Sequence, residues 1–106
     1  MKEIRFYRSE TNRVPYLEWL NTLDMTTRAR VSVYVFQLSL GGSKKNLKHL
    51  TQGVYEVKIN FGPGYRVYFM VLDWKIILLL LGGNKRSQRQ DIQRALNYRR
   101  TYYAQK

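Results

Sequence analysis

The chain has 106 residues, which suits one domain, and 44% of them are hydrophobic, which is enough for a core. It has no cysteine and a single histidine, His49, so we expect no disulfide and no metal or cofactor site. Its apolar run at residues 76–81 is too short to cross a bilayer, so we expect no membrane contact. Nineteen lysines and arginines against seven acidic residues give a net charge of +12. This charge favours a polyanionic partner, either nucleic acid or an acidic protein segment. The alternative is a highly charged surface that serves only solubility.

The N-terminal part of the chain predicts one strand followed by two helices. Residues 2–8 alternate as a short strand. Thr11 or Asn12 is the candidate N-cap of the first helix, with Pro15 in its first turn. Asp24 is the candidate N-cap of the second helix, and Gly41-Gly42 would end it. Residues 31–36 also alternate like a strand, but Ala29, Val33, Phe36 and Leu40 keep helical spacing and the segment is long for one strand, so a helix is predicted.

Three strands and a last helix are predicted for the rest of the chain. Residues 54–61 and 65–71 alternate and are joined by a tight turn at Gly62-Pro63-Gly64. Residues 75–81 are apolar on both faces, as in an interior strand, which Gly82-Gly83 would end. Ser87 and Gln90 have the spacing of a capping box. The following helix has an apolar stripe of Ile92, Ala95, Leu96 and Tyr103, and an opposite face with Arg89, Arg94 and Arg100. The fold class is therefore α+β.

The two alternating central runs predict a hairpin with one apolar and one polar face. If Phe61 lies opposite Tyr65, residues directly opposite each other share a face. The polar face then carries Glu56, Lys58, Asn60, Arg66 and Tyr68. Cations beside an aromatic residue are typical of sheets that bind RNA, and a solvated sheet face is the alternative. A bulge at Gly64 would shift the register by one residue and separate Arg66 from Lys58.

Further cations are candidates for phosphate contacts. Lys44, Lys45 and Lys48 come just before the central strands, although a lysine-rich loop is often only solvated. Lys85 and Arg86 precede the N-terminus of the last helix, where backbone N–H groups and the helix dipole favour a phosphate. The expected RNA-binding residues are Lys44, Lys45, Lys48, Tyr68 and Arg89.

Three segments, residues 53–59, 61–69 and 79–85, resemble the addiction module killer protein group of the RelE/ParE toxin superfamily, which is close to the HigB-type toxins. The residues that follow the third segment, Gln88, Asp91, Ile92 and Ala95, share the resemblance. The resemblance covers nearly the whole chain and implies one toxin domain over residues 1–106, with the element order β-α-α-β-β-β-α. RelE-like members cut messenger RNA in the ribosomal A site with the RNA's own 2′-hydroxyl as nucleophile and without a metal. The ParE branch shares the fold and inhibits DNA gyrase without nuclease chemistry.

The resemblance also assigns candidate catalytic residues. The basic residue of the second strand falls on Lys58, the arginine of the Gly-Tyr-Arg strand on Arg66, and a basic pair after the last strand on Lys85 and Arg86. Two positions depart from the family pattern. Glu56 stands where RelE-like members can have a lysine, and the catalytic tyrosine of the C-terminal segment has no counterpart, since Asp91 or Ile92 lies near its place and Tyr98 is the next tyrosine.

These observations together predict a ribosome-dependent endoribonuclease of the bacterial cytoplasm. The alternatives are a non-enzymatic gyrase inhibitor and a non-catalytic RNA-binding module. The resemblance implies three partners: the ribosome, messenger RNA and a helix-turn-helix antitoxin. The toxin–antitoxin complex would bind operator DNA only through the antitoxin. The basic sheet face and the arginine-rich last helix are the expected docking surfaces for that antitoxin, because complementary charge favours an acidic patch on the partner.

Overall fold

The computed structural model describes residues 1–105 and contains a five-stranded sheet covered by helices on both faces. The strands are β1 (Glu3–Phe6), β2 (Leu47–Thr51), β3 (Val54–Ile59), β4 (Tyr65–Leu72) and β5 (Ile76–Gly83). They lie in the order β1-β5-β4-β3-β2; β1 is parallel to β5 and the other neighbours are antiparallel. The helices are α1 (Pro15–Leu20), α2 (Met25–Ser39) and α3 (Gln88–Ala104). The α+β class predicted from the sequence is confirmed. None of these helices is long and apolar enough to span a membrane.

Two apolar clusters, one on each face of the sheet, form the core. On the first face, α1 and α2 pack against alternate residues of the central strands, among them Val57, Ile59, Val67 and Phe69. On the second face, α3 packs against Val54, Tyr68, Met70 and Leu80. β4 and β5 are central strands with helices on both sides, so both of their faces are apolar, as the sequence of β5 predicted.

The structure contains one strand more than the sequence predicted. β2 is an edge strand at residues 47–51, where the sequence predicted a polar loop. Most of its side chains are exposed, so it lacks the apolar alternation by which strands are recognised. Gln52 and Gly53 join β2 to β3, both with positive φ, as in a two-residue type I′ hairpin turn.

The β3–β4 hairpin has the predicted faces but a different register. The connecting loop comprises residues 60–64, so Lys58 lies opposite Arg66, where the sequence predicted Asn60 opposite Arg66. The pairing is therefore shifted by two residues and not by one. Because side chains alternate with a period of two, this shift leaves every residue on its predicted face.

The helices begin and end close to the predicted positions, but their buried faces differ. Asp24 caps α2 by accepting a hydrogen bond from the backbone N–H of Thr27, and Gly41 ends the helix with a positive φ, as predicted. The predicted helix is present, but the apolar residues whose spacing indicated it, Ala29, Val33, Phe36 and Leu40, are exposed, and the buried apolar residues are Val31, Val35 and Leu38.

Smaller differences occur at the ends of α1 and α3. The N-cap of α1 is Val14, which has no capping side chain, and neither Thr11 nor Asn12 serves as a cap. Ser87 is the N-cap of α3, but it makes no side-chain cap hydrogen bond, so the predicted capping box does not form. In α3, Ile92, Ala95 and Leu96 pack against the sheet as predicted, whereas Tyr103 is exposed.

The glycine pair at the end of β5 allows helices to approach the sheet closely on both faces. A Cβ atom on Gly82 would lie 2.2 Å from the ring of Trp19 in α1. A Cβ atom on Gly83 would overlap the Asp91 carboxylate of α3. Both neighbours lie against the bare backbone, so the two glycines set how closely α1 and α3 approach this end of the sheet.

We expect Gly82→Ala to lower the free energy of unfolding by about 1–3 kcal/mol, the usual cost of overpacking. The same substitution should cost much less in a Trp19→Ala background, because the ring that the methyl group meets is gone. Urea unfolding of the four proteins measures this coupling. Equal costs in both backgrounds would show that contact with Trp19 is not the reason for the glycine.

Candidate functional site

A cationic groove opens at the end of the sheet where the β3–β4 loop meets the segment after β5. It encloses about 340 Å³ and is lined by Lys58, Arg66 and Lys85 together with the loop residues 60–64. Among the described residues, no carboxylate lines it. Three of the four predicted catalytic residues therefore meet at one surface groove.

A second groove adjoins the first and extends toward the edge of the sheet. It encloses about 390 Å³ and shares Lys58, Asn60 and Arg66 with the first groove. Its other cations are Lys45 and Lys48, from the segment before β3. The two grooves together form a path with Lys58 and Arg66 at its centre, which we call the cationic track.

Arg66 is the most firmly held residue of the track. Its side chain is only 8% exposed, and its Nε atom lies 2.8 Å from Oε1 of Glu56, whose side chain is 6% exposed. The Nε–H is not aligned with the carboxylate oxygen, so this contact is an ion pair and not a hydrogen bond. Nη1 of Arg66 donates to the carbonyl oxygen of Gly64 at 2.6 Å, and Nε2 of Gln88 donates to the same Glu56 carboxylate oxygen at 2.9 Å. The guanidinium is thus fixed by β3, the hairpin loop and α3.

The expectation of an open polar face holds for only part of that face. Lys58 and Asn60 are exposed, whereas Glu56, Arg66 and Tyr68 are buried. The reason is α3, which packs against Tyr68 and reaches Glu56 through Gln88, and the Glu56 carboxylate in turn holds Arg66. The predicted surface role of Arg66 is therefore wrong for most of its side chain, although the residue still lines both grooves.

Tyr68, predicted as an RNA contact, lies entirely inside the protein. Burial raises the pKa of its hydroxyl, and the neighbouring Glu56 carboxylate acts in the same direction. The hydroxyl has no hydrogen-bond partner within residues 1–105. Contact between this ring and RNA is excluded while α3 remains in place.

The other predicted cations are divided between the track and the surrounding surface. Lys85, Lys45 and Lys48 line the track. Lys44 lines a separate groove beside the end of α2. Arg86 and Arg89 are exposed, but neither lines either groove of the track.

Three residues of the site had no signal in the sequence that pointed to this role. Gln88 reaches Glu56 from α3, across 32 residues of the chain. Nδ2 of Asn60 donates to Oδ1 of Asn46 at 3.0 Å, which ties the hairpin loop to the segment before β2. Amides are common on any protein surface, and only the tertiary structure shows which of them meet.

Asp91, which lies near the position of the family's catalytic tyrosine, contacts Ser87 and Arg94, one turn before it and one turn after it. Its carboxylate accepts a hydrogen bond from the Ser87 hydroxyl at 2.5 Å, and its other oxygen lies 4.0 Å from Nη1 of Arg94. Burial raises the pKa of Asp91 above its ordinary value, although Ser87 and Arg94 act in the opposite direction. The residue lines a separate cleft of about 490 Å³ between α1 and α3 and does not line the cationic track.

Residues 1–105 contain no group of three or more histidine, cysteine, aspartate or glutamate side chains that could hold a metal ion.

Comparisons with known proteins identify the family of this chain, a relative and a solved structure with a similar fold. The family model described as phage-derived protein Gp49-like (DUF891) matches residues 18–100. A protein of Haemophilus influenzae, described only as uncharacterised, is 32% identical over 78 residues, which cover 73% of this chain and 78% of that protein. A chain in the crystal structure of the intact E. coli RelBE toxin–antitoxin complex has a TM-score of 0.60 to this chain, with 19% identity, and the match covers 79% of this chain and 96% of the other. At that identity the structural likeness shows a shared fold.

We expect Glu56→Ala to lower the free energy of unfolding by about 3–5 kcal/mol, because it leaves the buried Arg66 cation without its partner. The double variant Glu56→Gln/Arg66→Gln removes both charges at once, and it should recover most of this loss. Urea unfolding of both proteins gives the comparison. A loss below about 1 kcal/mol for Glu56→Ala would contradict a structural role for the pair.

The raised pKa of Asp91 gives a pH-dependent prediction. The folded chain binds this proton more tightly than the unfolded chain, so ionised Asp91 opposes folding. This unfavourable contribution is absent well below the ordinary pKa and grows as the pH rises through the raised value. Asp91→Asn removes the titration and keeps an oxygen that can accept from Ser87. We therefore expect the stability of Asp91→Asn relative to the native chain to increase in urea unfolding as the pH rises from the ordinary pKa of 3.8 through the raised pKa of the folded chain. A decrease over this range would show that Ser87 and Arg94 outweigh burial.

Proposed function

Since the chain belongs to the family of phage-derived Gp49-like proteins, we propose that it is the toxin of a toxin–antitoxin pair and that it cleaves messenger RNA on the ribosome. The fold that it shares with a chain of a solved toxin–antitoxin complex supports the first part of this proposal. The chemistry of the cationic track supports the second.

The observation that carries the proposal is the meeting of Lys58, Arg66 and Lys85 at one groove without an unpaired carboxylate. The one carboxylate close to them, that of Glu56, is engaged by Arg66 and Gln88. A phosphodiester fits such a groove, because a guanidinium and two ammonium groups supply several charge-assisted hydrogen bonds to its oxygens. The adjoining groove with Lys45 and Lys48 continues the positive surface, as a single strand with successive phosphates requires.

The proposed reaction uses the nucleophile that RNA itself carries. The 2′-oxygen loses its proton and bonds to the adjacent phosphorus, the bond from phosphorus to the 5′-oxygen breaks, and that oxygen takes up a proton. The products are a 2′,3′-cyclic phosphate and a 5′-hydroxyl. The protein must therefore move two protons and stabilise extra negative charge on the phosphoryl oxygens.

Position and exposure assign these roles to different residues. Arg66 is permanently charged and held by Glu56 and the Gly64 carbonyl, so it serves as the preorganised stabiliser of the phosphoryl charge. Lys58 lies directly opposite it on β3 and is exposed, so it serves in proton transfer at the groove. Lys85, from the segment after β5, supplies a third cation to the groove. Glu56 holds Arg66 in place and is not the base. Placement of the RNA by the ribosome supplies the remaining orientation.

We expect Lys58→Ala to lower the rate of ribosome-dependent cleavage by at least about 100-fold, the usual scale for losing a general acid or base. Lys75→Ala is the matched control: Lys75 is also exposed, but it follows the far end of β4, away from the track. Primer extension on a translated message with purified, antitoxin-free protein measures both rates.

This assay, together with assays of gyrase supercoiling and of ribosome binding, separates the three functions that the sequence allowed. Absence of cleavage by the native chain, together with inhibition of gyrase supercoiling, would establish the gyrase inhibitor instead. Binding to ribosomes without cleavage would leave an RNA-binding module. Equal losses for Lys58→Ala and Lys75→Ala would show that net charge, and not the groove, is what the reaction needs.

A further inference from the structure

The exposed face of α2 carries a continuous apolar stripe that has no partner within residues 1–105. Four of its side chains are more than half exposed: Met25 at 83%, Val33 at 53%, Phe36 at 56% and Leu40 at 58%. Ala29 is exposed between them. At about 100° per residue, these five positions fall within one narrow face of the helix.

The stripe is separate from the face that α2 needs for folding. Val31, Val35 and Leu38 point into the core and lie on the opposite side of the helix. α2 is thus apolar on two faces, of which the domain buries one. Apolar side chains at helical spacing on a solvent-facing surface contribute nothing to the core, and such a patch marks an interaction site.

The shape of the stripe suits an inserted side chain. Between the first two turns of α2 lies a shallow recess of about 420 Å³, lined by Met25, Thr26, Ala29, Arg30 and Val33. Ala29 is the smallest of the apolar residues that line it. A concave apolar recess of this kind accommodates a protruding residue of a partner protein, as at the centre of well-packed interfaces.

The charge around the stripe defines the chemistry of that partner. Residues 25–55 contain no aspartate or glutamate, and their basic residues are Arg28, Arg30, Lys44, Lys45 and Lys48. At helical spacing, Arg28 and Arg30 lie on opposite flanks of the stripe. Arg30 is exposed and its guanidinium lies over the Phe61 ring, whereas Arg28 is partly buried and donates to the Leu23 carbonyl oxygen. The stripe therefore has a positive charge on each flank, and the charge of Arg30 is the more exposed of the two.

From these observations we propose that the exposed face of α2 is the docking surface for an amphipathic helix with acidic flanks in the antitoxin, a step that rests on the proposed function. The apolar residues of that helix cover the stripe, one side chain enters the recess, and its carboxylates face Arg28 and Arg30. This location differs from the basic sheet face and the arginine-rich α3 that charge alone suggested. It leaves Lys58 and Arg66 outside the contact made by that helix.

Two other occupants fit the surface less well. A second copy of the chain would bring Arg28 and Arg30 against their own counterparts in a molecule of charge +12, and like charges oppose such a contact. A helix that lies on a membrane surface has a strongly charged face opposite its apolar face, whereas the face of α2 opposite the stripe is apolar and packs in the core.

The test uses the full chain and the purified product of the gene adjacent to its own. Val33→Asp and Phe36→Asp place a charge in the stripe, and Gln93→Asp makes the same type of change at an exposed position of α3. We expect the two stripe variants to weaken the complex by at least about 30-fold in calorimetric titration, the scale of an interface hot spot, and Gln93→Asp to leave it unchanged. All three variants should arrest growth and cleave the message as the native chain does, because none of them touches the cationic track. Coincident thermal melting curves confirm that they fold alike.

Each other outcome overturns the inference in a recognisable way. If the stripe variants bind the adjacent gene product as tightly as the native chain, or if that product does not bind the native chain, the inference is wrong and the proposed function stands on the cleavage assay alone. If the native chain neither arrests growth nor cleaves the message, the proposed function itself is wrong. Stripe-dependent dimerisation in sedimentation, or stripe-dependent binding to vesicles of phosphatidylcholine and phosphatidylglycerol, would assign the surface to a second copy or to a membrane.

Discussion

The buried ion pair between Glu56 and Arg66 is the interaction on which the arrangement of this domain depends. It joins β3 to β4, and Gln88 connects it to the start of α3. An arginine enclosed in this way is stable only with a compensating charge and further hydrogen bonds, which the Glu56 carboxylate and the Gly64 carbonyl provide. The same contacts that satisfy the buried charge also fix the guanidinium at the floor of the cationic track. Stability and the geometry of the site therefore have one origin.

The distribution of charge extends this principle to the whole molecule. Of the seven acidic residues, four lie in ion pairs with arginine: Glu3, Glu18, Glu56 and Asp91. Asp24 is used as a helix cap. Because the fold itself engages most of its carboxylates, the surplus of lysine and arginine is left for other molecules to neutralise. This surplus is the charge that the proposed phosphate contacts at the track and the proposed carboxylate contacts beside α2 would neutralise.

Much of the fold could be predicted from the sequence because alternation and spacing are local properties. The polar and apolar faces of the β3–β4 hairpin were assigned correctly although the loop was longer than expected, since a shift of two residues preserves the face. The meeting of Lys58 and Arg66 followed from this assignment and from a family resemblance. β2 escaped prediction because an edge strand with exposed side chains has no apolar pattern.

What the sequence by itself determined is which residues share a face, because the periods of strands and helices depend only on backbone geometry. What only the tertiary structure decided is which face is covered. Nothing in the order of residues shows that α3 lies over Arg66 and Tyr68, nor that the core takes Val31 and Val35 of α2 and leaves Val33 and Phe36 in solvent. Both faces of α2 are apolar at helical spacing, so its own sequence does not distinguish them. The choice depends on how distant elements pack around close contacts such as Trp19 on Gly82, and those contacts exist only in the folded chain.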